Sequence, residues 1–352
     1  MRITLATETF YPAVDATTTT IKATADRLVD LGHAVQIIAP GPGLNSYRGC
    51  EVARVRPLEP TGAQTRAAMV AFRPDLVQAH SPRAVGRKAI KHAGRLGVPT
   101  LAVEQSPVLD LAADYWRSRI AGRADATLVT SAWMVERAAE LGVTARAWLP
   151  GVDPAAFTPA LRDHWLHSVW SRAKSRPGAD PLVVVGYVGA LHKRHGVRRL
   201  AELAEIPGTR LVVIGTGPER EWLQRRLPHA KFTGPLPTAD LTVALPTLDV
   251  LVHPGALETD AHVLREAAAA GVPVVAPRAA AAAEVVRHLE TGVLYDADRR
   301  SDLVRAVTSV VADRQRSLMG AQAREHALGR TWTEAVDELV EHHHAALLPS
   351  LV

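Results

Sequence analysis

Short apolar runs alternate with longer amphipathic stretches along most of the chain, a pattern typical of parallel sheets whose strands are joined by crossover helices. In the first half the pattern predicts strands at residues 2–6, 34–39, 52–56, 76–79, 100–103, 127–130 and 145–149. Helices are expected between them, for example at residues 18–31, 83–96 and 132–141. Gly32, Gly97 and Gly142 follow these helices, where a left-handed C-terminal cap favours glycine.

The alternation stops between residues 151 and 180, where prolines punctuate a polar segment that is typical of a connection between domains. A second series of strands follows, at residues 182–188, 210–214, 231–233, 250–253, 273–276 and 292–295. We therefore predict an N-terminal domain over residues 1–170 and a C-terminal domain over residues 180–332. The last helix, within residues 333–352, has no strand after it, which makes it a candidate to pack back on the first domain.

Composition supports two domains and limits the classes of ligand to be expected. The 352 residues exceed what one hydrophobic core usually holds, and 47% of them are apolar. The net charge of +5 comes from interspersed acids and bases, a balance that suits a small anionic ligand as well as it suits nucleic acid. Nucleic acid binding is disfavoured, because only 5% of the residues are aromatic and no basic run is interleaved with them.

The cysteine content and the apolar runs bear on the compartment. The single cysteine, Cys50, cannot form an internal disulfide, which indicates a reducing compartment. The apolar run at residues 3–6 is too short for the core of a signal peptide. No stretch approaches the roughly 20 apolar residues that span a bilayer. We expect a cytoplasmic protein without a transmembrane segment, with peripheral membrane contact left open.

Two glutamates in the second series carry the sharpest chemical signal. Glu258 follows the apolar strand at residues 250–252, and Glu266 lies eight residues further on, in a helix-forming segment at residues 260–270. A strand that leads into a helix N-terminus is where α/β folds bind phosphates. Phosphate would repel a carboxylate there, so Glu258 is expected to face a neutral partner such as sugar hydroxyls. On spacing alone, two solvated charges explain the pair about equally well.

The context of the pair resembles a known family. Residues 253–275 read His-Pro-Gly-Ala-Leu-Glu, then a second glutamate and an alanine-rich stretch that ends in Gly-Val-Pro-Val-Val. This arrangement resembles the signature of glycosyltransferase family 4, whose members are retaining enzymes of the two-domain GT-B fold. Further motifs lie in the family's order at residues 151–153, 157–159, 186–189, 215–219, 232–234, 291–292 and 332. Residues 8–12, 31–33 and 39–43 resemble the bacterial α-mannosyltransferase and sulfoquinovosyltransferase branch.

The resemblance implies both a fold and an activity. The fold is an α/β fold of GT-B type, in which two Rossmann-like domains face each other across a cleft. The activity is the metal-independent transfer of a sugar from a nucleoside-diphosphate donor to a small-molecule acceptor. The branch slightly favours a GDP-linked donor over a UDP-linked one. No cofactor is expected beyond the nucleotide sugar itself.

The same resemblance assigns roles to individual residues. Glu258 is expected to act as the catalytic residue that contacts the donor sugar, and Glu266 is expected to bind the ribose hydroxyls. The backbone N–H groups of residues 261–264 would hold the diphosphate, and the missing Cβ of Gly215 and Gly217 would let the chain pass close to the base and ribose. The expected donor-binding residues are Gly189, Lys193, Arg194, His195, Gly215, Gly217, Pro218, Asp260, Ala261, His262, Val263, Leu264 and Glu266. The expected acceptor-binding residues are Glu8, Tyr11, Asp15, Ala16, Thr17, Thr18 and Gln105.

The cations that neutralise the diphosphate in the family are missing here. Ala190 and His195 stand where the family usually has arginine and lysine, each worth about 1.5–3 kcal/mol on a diphosphate. His192, Lys193, Arg194 and His195 itself are candidates to replace them. Solvated loop charges explain Lys193 and Arg194 equally well.

Other positions that are expected to face a ligand also differ from the family pattern. Ala16 replaces a glycine of the first loop, and the threonines at residues 17–20 are expected either to cap a helix or to face a ligand, with capping favoured for at least one. The family's aspartate after the strand at residues 100–103 is missing beside Gln105. Residues 260–263 replace the usual aromatic and polar residues, and the alanines at residues 279–283, typical of a helix start, replace a Gly-Gly-Pro segment.

Two explanations fit these departures. Either the donor or the acceptor is unusual, as in specialised metabolite assembly such as antibiotic biosynthesis, or the chain is a degenerate homologue that binds without turnover. We favour the first, because drift without use would not spare both glutamates. The tract at residues 342–344, three histidines in the last helix, is expected at the surface or in packing, because consecutive residues point round a helix and not to one metal.

Overall fold

The computed structural model describes residues 1–172 and 181–348, which divide into two compact units. The first unit comprises Met1–Gly151 and Trp332–Val352, and the second comprises Val152–Thr331. The predicted connection between domains extends into residues 173–180, which lie outside the described residues, as do residues 349–352, where the sequence predicts the end of the last helix. Each unit is built round one sheet of mainly parallel strands flanked by helices, which confirms the predicted α/β class.

The first unit contains an eight-stranded sheet. Its strands are β1 (Arg2–Thr7), β2 (Ala34–Pro40), β3 (Ser46–Tyr47), β4 (Cys50–Val55), β5 (Leu76–His80), β6 (Thr100–Glu104), β7 (Ala126–Val129) and β8 (Arg146–Ala147). They lie in the order β3-β4-β2-β1-β5-β6-β7-β8, and all neighbours are parallel except β3 and β4. The strand predicted at residues 145–149 pairs over two residues only.

Helices cover both faces of this sheet. Before residue 151 they are α1 (Ala16–Asp30), α2 (Thr61–Phe72), α3 (Val85–Leu96), α4 (Asp110–Arg119) and α5 (Ala132–Glu140), with a 3₁₀ turn at Ala121–Arg123. The N-terminus of α1 is capped by Asp15, whose side chain accepts a hydrogen bond from the N–H of Thr18 at 2.8 Å. The helix stops at Gly32, in the left-handed region at φ +79°, as the sequence predicts.

The second unit contains a six-stranded parallel sheet. Its strands are β9 (Val183–Val188), β10 (Thr209–Ile214), β11 (Lys231–Gly234), β12 (Val250–Val252), β13 (Val274–Pro277) and β14 (Gly292–Tyr295), in the order β11-β10-β9-β12-β13-β14. Its helices are α6 (His164–Ser171), α7 (Arg220–Arg226), α8 (Thr238–Ala244), α9 (His262–Ala269), α10 (Ala282–Val285), α11 (Asp302–Ala312) and α12 (Arg316–Leu328), with 3₁₀ turns at Pro159–Leu161, Lys193–His195 and Val197–Leu203. Two buried hydrophobic clusters lie within this unit.

The end of the chain returns to the first unit. It forms α13 (Trp332–Glu338), a π-helical segment (Leu339–His344) and α14 (Ala345–Leu347). The indole N–H of the fully buried Trp148 donates to the carbonyl oxygen of Ala335 at 2.7 Å. Arg27 on α1 forms a two-pronged ion pair with Asp337, at 2.7 and 2.8 Å. The last helix therefore completes a core that residues 1–151 leave open.

The boundary between the units lies earlier than the sequence suggests. The first unit ends at Gly151 and not near residue 170. The reason is apolar packing: Phe157 and Trp170, only 6% and 3% exposed, pack in a core cluster with Val184 and Leu264 of the second unit. Among the described residues, no helix is long and apolar enough to cross a membrane.

Candidate functional site

The loops that follow β9, β10 and β12 lie side by side, because these strands are neighbours in the second sheet. The parallel register pairs Val188 with Ile214 at the ends of β9 and β10. Carboxyl ends of parallel strands share one edge, and α/β folds bind ligands there. This edge brings together the predicted donor-side residues that begin at Gly189, Gly215 and Glu258.

Gly215 and Gly217 are required by the packing of one loop on another. A Cβ at Gly215, where φ is +140°, would lie 1.9 Å from the carbonyl oxygen of Gly189. A Cβ at Gly217, where φ is +157°, would lie 2.5 Å from the carbonyl oxygen of Leu191. The close packing of these loops therefore explains why both positions are glycine, without any contact to a ligand. Their closeness to a base and ribose stays a prediction.

The carboxylate of Glu258 is enclosed by protein donors. Its Oε2 lies 3.1 Å from Nε2 of His253, and its Oε1 accepts hydrogen bonds from the backbone N–H groups of Thr259 and Ala261 at 3.3 and 3.2 Å. Burial by itself would raise the pKa of Glu258, but the His253 imidazole and the neighbouring donors outweigh burial and hold this pKa well below its usual range. Glu258 is therefore ionised at neutral pH.

Asp260 is the protonated partner of Glu258. It is only 6% exposed, and burial together with the charge of Glu258 raises the pKa of Asp260 well above its usual range. The two carboxyl groups are hydrogen-bonded to each other and carry one negative charge between them. Nε2 of His262 lies 3.4 Å from Oδ2 of Asp260, and Nε of Arg265 donates to the Asp260 carbonyl oxygen at 3.4 Å.

The start of α9 is held in an unusual backbone conformation. Ala261 is fully buried and has φ +51°, a left-handed conformation that costs a residue with a Cβ about 1–2 kcal/mol. Its N–H is used by Glu258, and the N–H of Leu264 donates to the Ala261 carbonyl oxygen at 3.1 Å. Two of the four backbone donors predicted for the diphosphate are thus engaged within the protein. The Leu264 side chain packs in the core, and Val263 is half-buried beside it.

Glu266 lies one turn into α9, after the network round Glu258. Burial alone raises the pKa of this carboxyl to about 7. Glu266 therefore changes its charge close to neutral pH, whereas Glu258 does not. The two predicted glutamates are carried by one loop and helix, in different electrostatic environments.

The loop that lacks the family's cations packs against the chain before Glu258. A Cβ at Gly196 would lie 2.4 Å from the carbonyl oxygen of Pro254, so the two segments are in close contact. Arg194 is exposed, and its Nε donates to Nε2 of His195 at 3.2 Å. Burial and the charge of Arg194 lower the pKa of His195, against the opposing effect of Glu258. His195 is therefore neutral and Arg194 carries the charge. Lys193 and Pro218 are exposed.

In the first unit, the predicted acceptor residue Glu8 is bound by backbone. It follows β1 directly, and its carboxylate accepts hydrogen bonds from the N–H groups of Arg83, Val85 and Gly86 at 2.8, 3.2 and 2.9 Å. A carboxylate at a helix N-terminus is favoured by the helix dipole. Glu8 thus anchors the start of α3.

Asp15 and its neighbours form a second cluster. The hydroxyl of Thr9 donates to Asp15 at 2.8 Å, and Thr18 is fully buried, with its hydroxyl donating to the Ala13 carbonyl oxygen at 3.0 Å. The helix cap is Asp15, so the expectation that one of the threonines at residues 17–20 supplies the cap was wrong. The reason is that Asp15 stands one residue before the first helical position, where a side-chain oxygen reaches the free N–H groups.

Ala16, Thr17 and Tyr11 lie near this cluster and are half-buried. Ala16 is the first residue of α1, and Thr17 follows it. The Tyr11 ring stacks on Tyr47 with centroids 6.0 Å apart, and the Tyr11 carbonyl oxygen accepts from Arg54 at 2.7 Å. The half-buried side chains of the first turn leave this end of α1 accessible.

Gln105 lies directly after β6 and is buried. Its Oε1 is 3.3 Å from Nδ1 of His80, and its Nε2 donates to the Thr20 hydroxyl at 2.8 Å. Burial lowers the pKa of His80 to about 4, so this imidazole is neutral. The predicted acceptor residues thus fall into three groups in the first unit: Glu8 at α3, Asp15 with the start of α1, and Gln105 with His80.

His80 and His253 were missed as site residues by the sequence analysis. A signal exists for both: His80 is the last residue of β5, and His253 follows β12 directly. A polar residue at the carboxyl end of an apolar parallel strand sits where such folds place function. No group of three or more histidine, cysteine or acidic side chains that could hold a metal occurs among the residues that the structure describes.

A cavity of about 200 Å³ lies on another side of α9. Its lining includes Arg265, Thr291 and Arg330, but neither Glu258 nor Glu266. The candidate site is therefore defined by its polar network and not by this cavity.

Replacing Glu266 by glutamine should flatten the pH dependence of stability. Because folding raises the pKa of Glu266, the protonated carboxyl stabilises the fold below the pKa of the unfolded chain, and this stabilisation is lost as the pH rises through about 7. Glu266→Gln should therefore gain thermal stability relative to the native protein between about pH 5 and about pH 8. Unfolding midpoints measured across that range check this. Glu221→Gln, at a side chain 87% exposed, serves as the control, and an E266Q curve parallel to the native one would contradict the assignment.

Comparison with known families identifies the family to which the chain belongs. The sequence profile described as "Glycosyltransferase Family 4" matches residues 17–156, and the one described as "Glycosyl transferases group 1" matches residues 171–326. The chain is 36% identical to a GDP-mannose-dependent alpha-mannosyltransferase of Mycolicibacterium smegmatis, over 99% of this chain and 98% of that protein. It is 30% identical to the sulfoquinovosyl transferase SQD2 of Arabidopsis thaliana, over 79% of this chain and 58% of that protein.

Solved structures show the same fold. The Anabaena protein Alr3699/HepE, in complex with UDP and glucose, superposes with a TM-score of 0.83 over 98% of this chain and 100% of that one. The sequence identity is 16%, so the likeness concerns the fold alone. The chain has two parallel-sheet Rossmann-like units and is 36% identical to a mannosyltransferase over nearly its full length. It therefore belongs to the family 4 glycosyltransferases and has the GT-B fold.

Proposed function

We propose that this glycosyltransferase moves a sugar from a GDP-linked donor to a small-molecule acceptor, with retention at the anomeric carbon and without a metal ion. The second unit would bind the donor and the first unit the acceptor. GDP is favoured because the full-length relative is named as GDP-mannose-dependent. The observation that carries the proposal is the ionised Glu258, held by His253 and backbone N–H groups after β12.

The network round Glu258 suits a sugar beside a diphosphate. An ionised carboxylate accepts hydrogen bonds from sugar hydroxyls, and charge-assisted bonds of this kind are the stronger ones. Because Asp260 keeps its proton, the pair carries one charge and not two, so a nearby diphosphate meets less repulsion. In the reaction the bond between the anomeric carbon and the phosphate oxygen breaks, and the acceptor oxygen bonds to that carbon. The departing phosphate oxygen takes the acceptor's proton, so no protein base is required.

Arg194 is the best candidate for the missing diphosphate cation. Its loop packs on Pro254 beside the Glu258 network, and it carries the charge that the neutral His195 lacks. A guanidinium stabilises the negative charge that builds up on the leaving diphosphate. Arg194 would thus take over the task of the residues that Ala190 and His195 replace.

We further propose that the acceptor or the sugar is unusual, as in specialised metabolite assembly, and that the reaction takes place in the cytoplasm. The first point is supported by the changes at Ala16 and beside Gln105, both on the acceptor side. The second is supported by Cys50, which has no cysteine to pair with.

Nucleotides should stabilise the protein in the order GDP, then UDP, then ADP and dTDP. A ligand that binds only the folded chain raises the unfolding temperature by mass action. Thermal shifts measured with each nucleotide, with and without EDTA, test both the preference for one base and the dependence of binding on a metal ion. Equal shifts for all four would contradict GDP specificity, no shift for any would overturn the donor proposal, and loss of the GDP shift in EDTA would overturn metal independence.

Glu258→Gln should reduce turnover by about a hundredfold or more while the protein stays folded, because a neutral amide no longer matches the charge in the transition state. The release of GDP from GDP-mannose, measured in the presence of water alone, reports this without knowledge of the acceptor. Glu221→Gln is the matched control. Near-native GDP release by a folded E258Q protein would refute the catalytic assignment.

Arg194→Gln should weaken GDP binding by about tenfold, the loss of one charge-assisted contact. Arg225→Gln, at a side chain 70% exposed on α7, should leave binding unchanged. His195→Lys, which restores the usual family cation, should strengthen binding. Calorimetric titration with GDP measures all three variants. If R194Q binds as the native protein does while H195K binds more tightly, the cation lies at position 195 and not at Arg194.

A further inference from the structure

The cavity of about 200 Å³ beside α9 is formed by the second unit, to which all of its lining residues belong. Its walls include α9, α10, α12 and the two ends of the unit, at Val152 and Arg330. The N–H of Val152 donates to the Arg330 carbonyl oxygen at 3.1 Å, so these two ends meet at the cavity. One water takes about 30 Å³ of liquid, and pockets for drug-sized ligands hold about 300–1,000 Å³. The volume therefore suits a ligand of a few non-hydrogen atoms.

The cavity and the candidate site use different faces of α9. Arg265 and Ala268, one turn apart, line the cavity, whereas Glu258 and Glu266 do not. Successive residues of an α-helix point about 100° apart, so Glu266 is directed away from the face that carries Arg265. A ligand in the cavity would therefore occupy a site of its own.

Arg265 has no carboxylate to pair with. Its guanidinium forms no ion pair with any residue that the structure describes, and its side chain makes one long hydrogen bond, from Nε to the Asp260 carbonyl oxygen at 3.4 Å. The carboxyl group of Asp260 keeps its proton and supplies no charge. Over the same described part of the chain, the two Nη groups of Arg265 thus lack a protein acceptor.

The charge of Arg265 lies deep in the unit. Burial lowers the pKa of this guanidinium to about 10, and Arg330 acts in the same direction, against the opposing effect of the neighbouring acids. Arg265 still carries its charge at neutral pH. A buried charge without a partner costs free energy, and a buried polar group without an acceptor calls for a ligand or ordered water. The cavity is the space in which an anion could meet this guanidinium.

The lining favours an anion with one charge and an apolar part. Eight of the fourteen lining residues are apolar. Glu284 also lies in the lining and would repel a second negative charge on the ligand. Arg287 is already hydrogen-bonded to Glu290 and His326, at 3.3 and 3.1 Å, so Arg265 is the better anchor. The planar fork of a guanidinium matches the two oxygens of a carboxylate.

We propose that this cavity is a binding site for a small carboxylate with a short apolar chain, whose carboxylate oxygens accept hydrogen bonds from the Nη groups of Arg265. The chain of the ligand would lie against Ala268 of α9 and Ala327 of α12, which line the cavity. Because Nε of Arg265 donates to the Asp260 carbonyl oxygen, the bound carboxylate would also brace the start of α9, where Ala261 has φ +51°. The proposal does not rest on the proposed function.

Butyrate is the probe, added to the full-length protein without nucleotide and exchanged for chloride at constant ionic strength. At about ten times its dissociation constant, it should raise the unfolding midpoint by about 3–5 °C. Arg265→Gln removes the cation and should abolish this shift. Arg225→Gln, at an exposed side chain of α7, and Arg194→Gln, in the proposed donor site, should both keep it. Butanol, which has no charge, should produce no such shift.

Ala327→Leu tests the cavity separately, because it fills the space from α12 and leaves Arg265 in place. This variant should also lose the shift, and it decides the matter if R265Q does not fold. The site is overturned if butyrate gives no saturable shift, if the shift persists in folded R265Q or A327L, or if R194Q abolishes it. An equal or larger shift with inorganic phosphate, lost in R265Q, would overturn the carboxylate as the ligand class. A failure of GDP to bind bears on none of these results, since no nucleotide is present.

Discussion

The constraint on which this molecule depends is the parallel register of its sheets. Parallel strands bring their carboxyl ends to one edge, and their interiors are too apolar to hold unpaired polar groups. Polar side chains therefore concentrate where β1, β5 and β6 end in the first unit, at Glu8, His80 and Gln105, and where β9, β10 and β12 end in the second. The proposed donor and acceptor sites lie at these two edges, which the hydrogen bonds of the sheets bring together.

The edge of the second unit carries less negative charge than its number of carboxyl groups suggests. Of its three neighbouring acids, Glu258 is ionised, Asp260 is protonated, and Glu266 has a pKa of about 7. A site rich in carboxyl groups thus carries little negative charge, which suits an anionic donor. The exposed cation of Arg194, beside a neutral His195, then has more effect than it would beside three carboxylates.

Strands and helix ends could be predicted because they depend on local pattern, whereas the glutamate pair was singled out by its resemblance to a family signature. The unit boundary could not, because the side to which Phe157 and Trp170 pack is decided by distant residues. Nor could the protonation of Asp260, which depends on its distance from Glu258 and not on its type. Glu8 matched a family motif, but its engagement by the start of α3 needs contacts some 75 residues away. The hydrogen bond between His344 and Gln78 joins residues 266 positions apart, and no local sequence pattern predicts it.

The discontinuous first unit bears on how the protein is made. Residues 152–331 form one continuous unit, so the ribosome delivers all of it before the first unit is complete. Until Trp332 and the residues after it emerge, Trp148 lacks the carbonyl of Ala335, and Gln78 lacks His344. The N-terminal part of the first unit therefore remains incompletely folded while the second unit is synthesised and folds. Synthesis that stops short of the last helix would leave an exposed apolar surface, a ready target for chaperones and proteases.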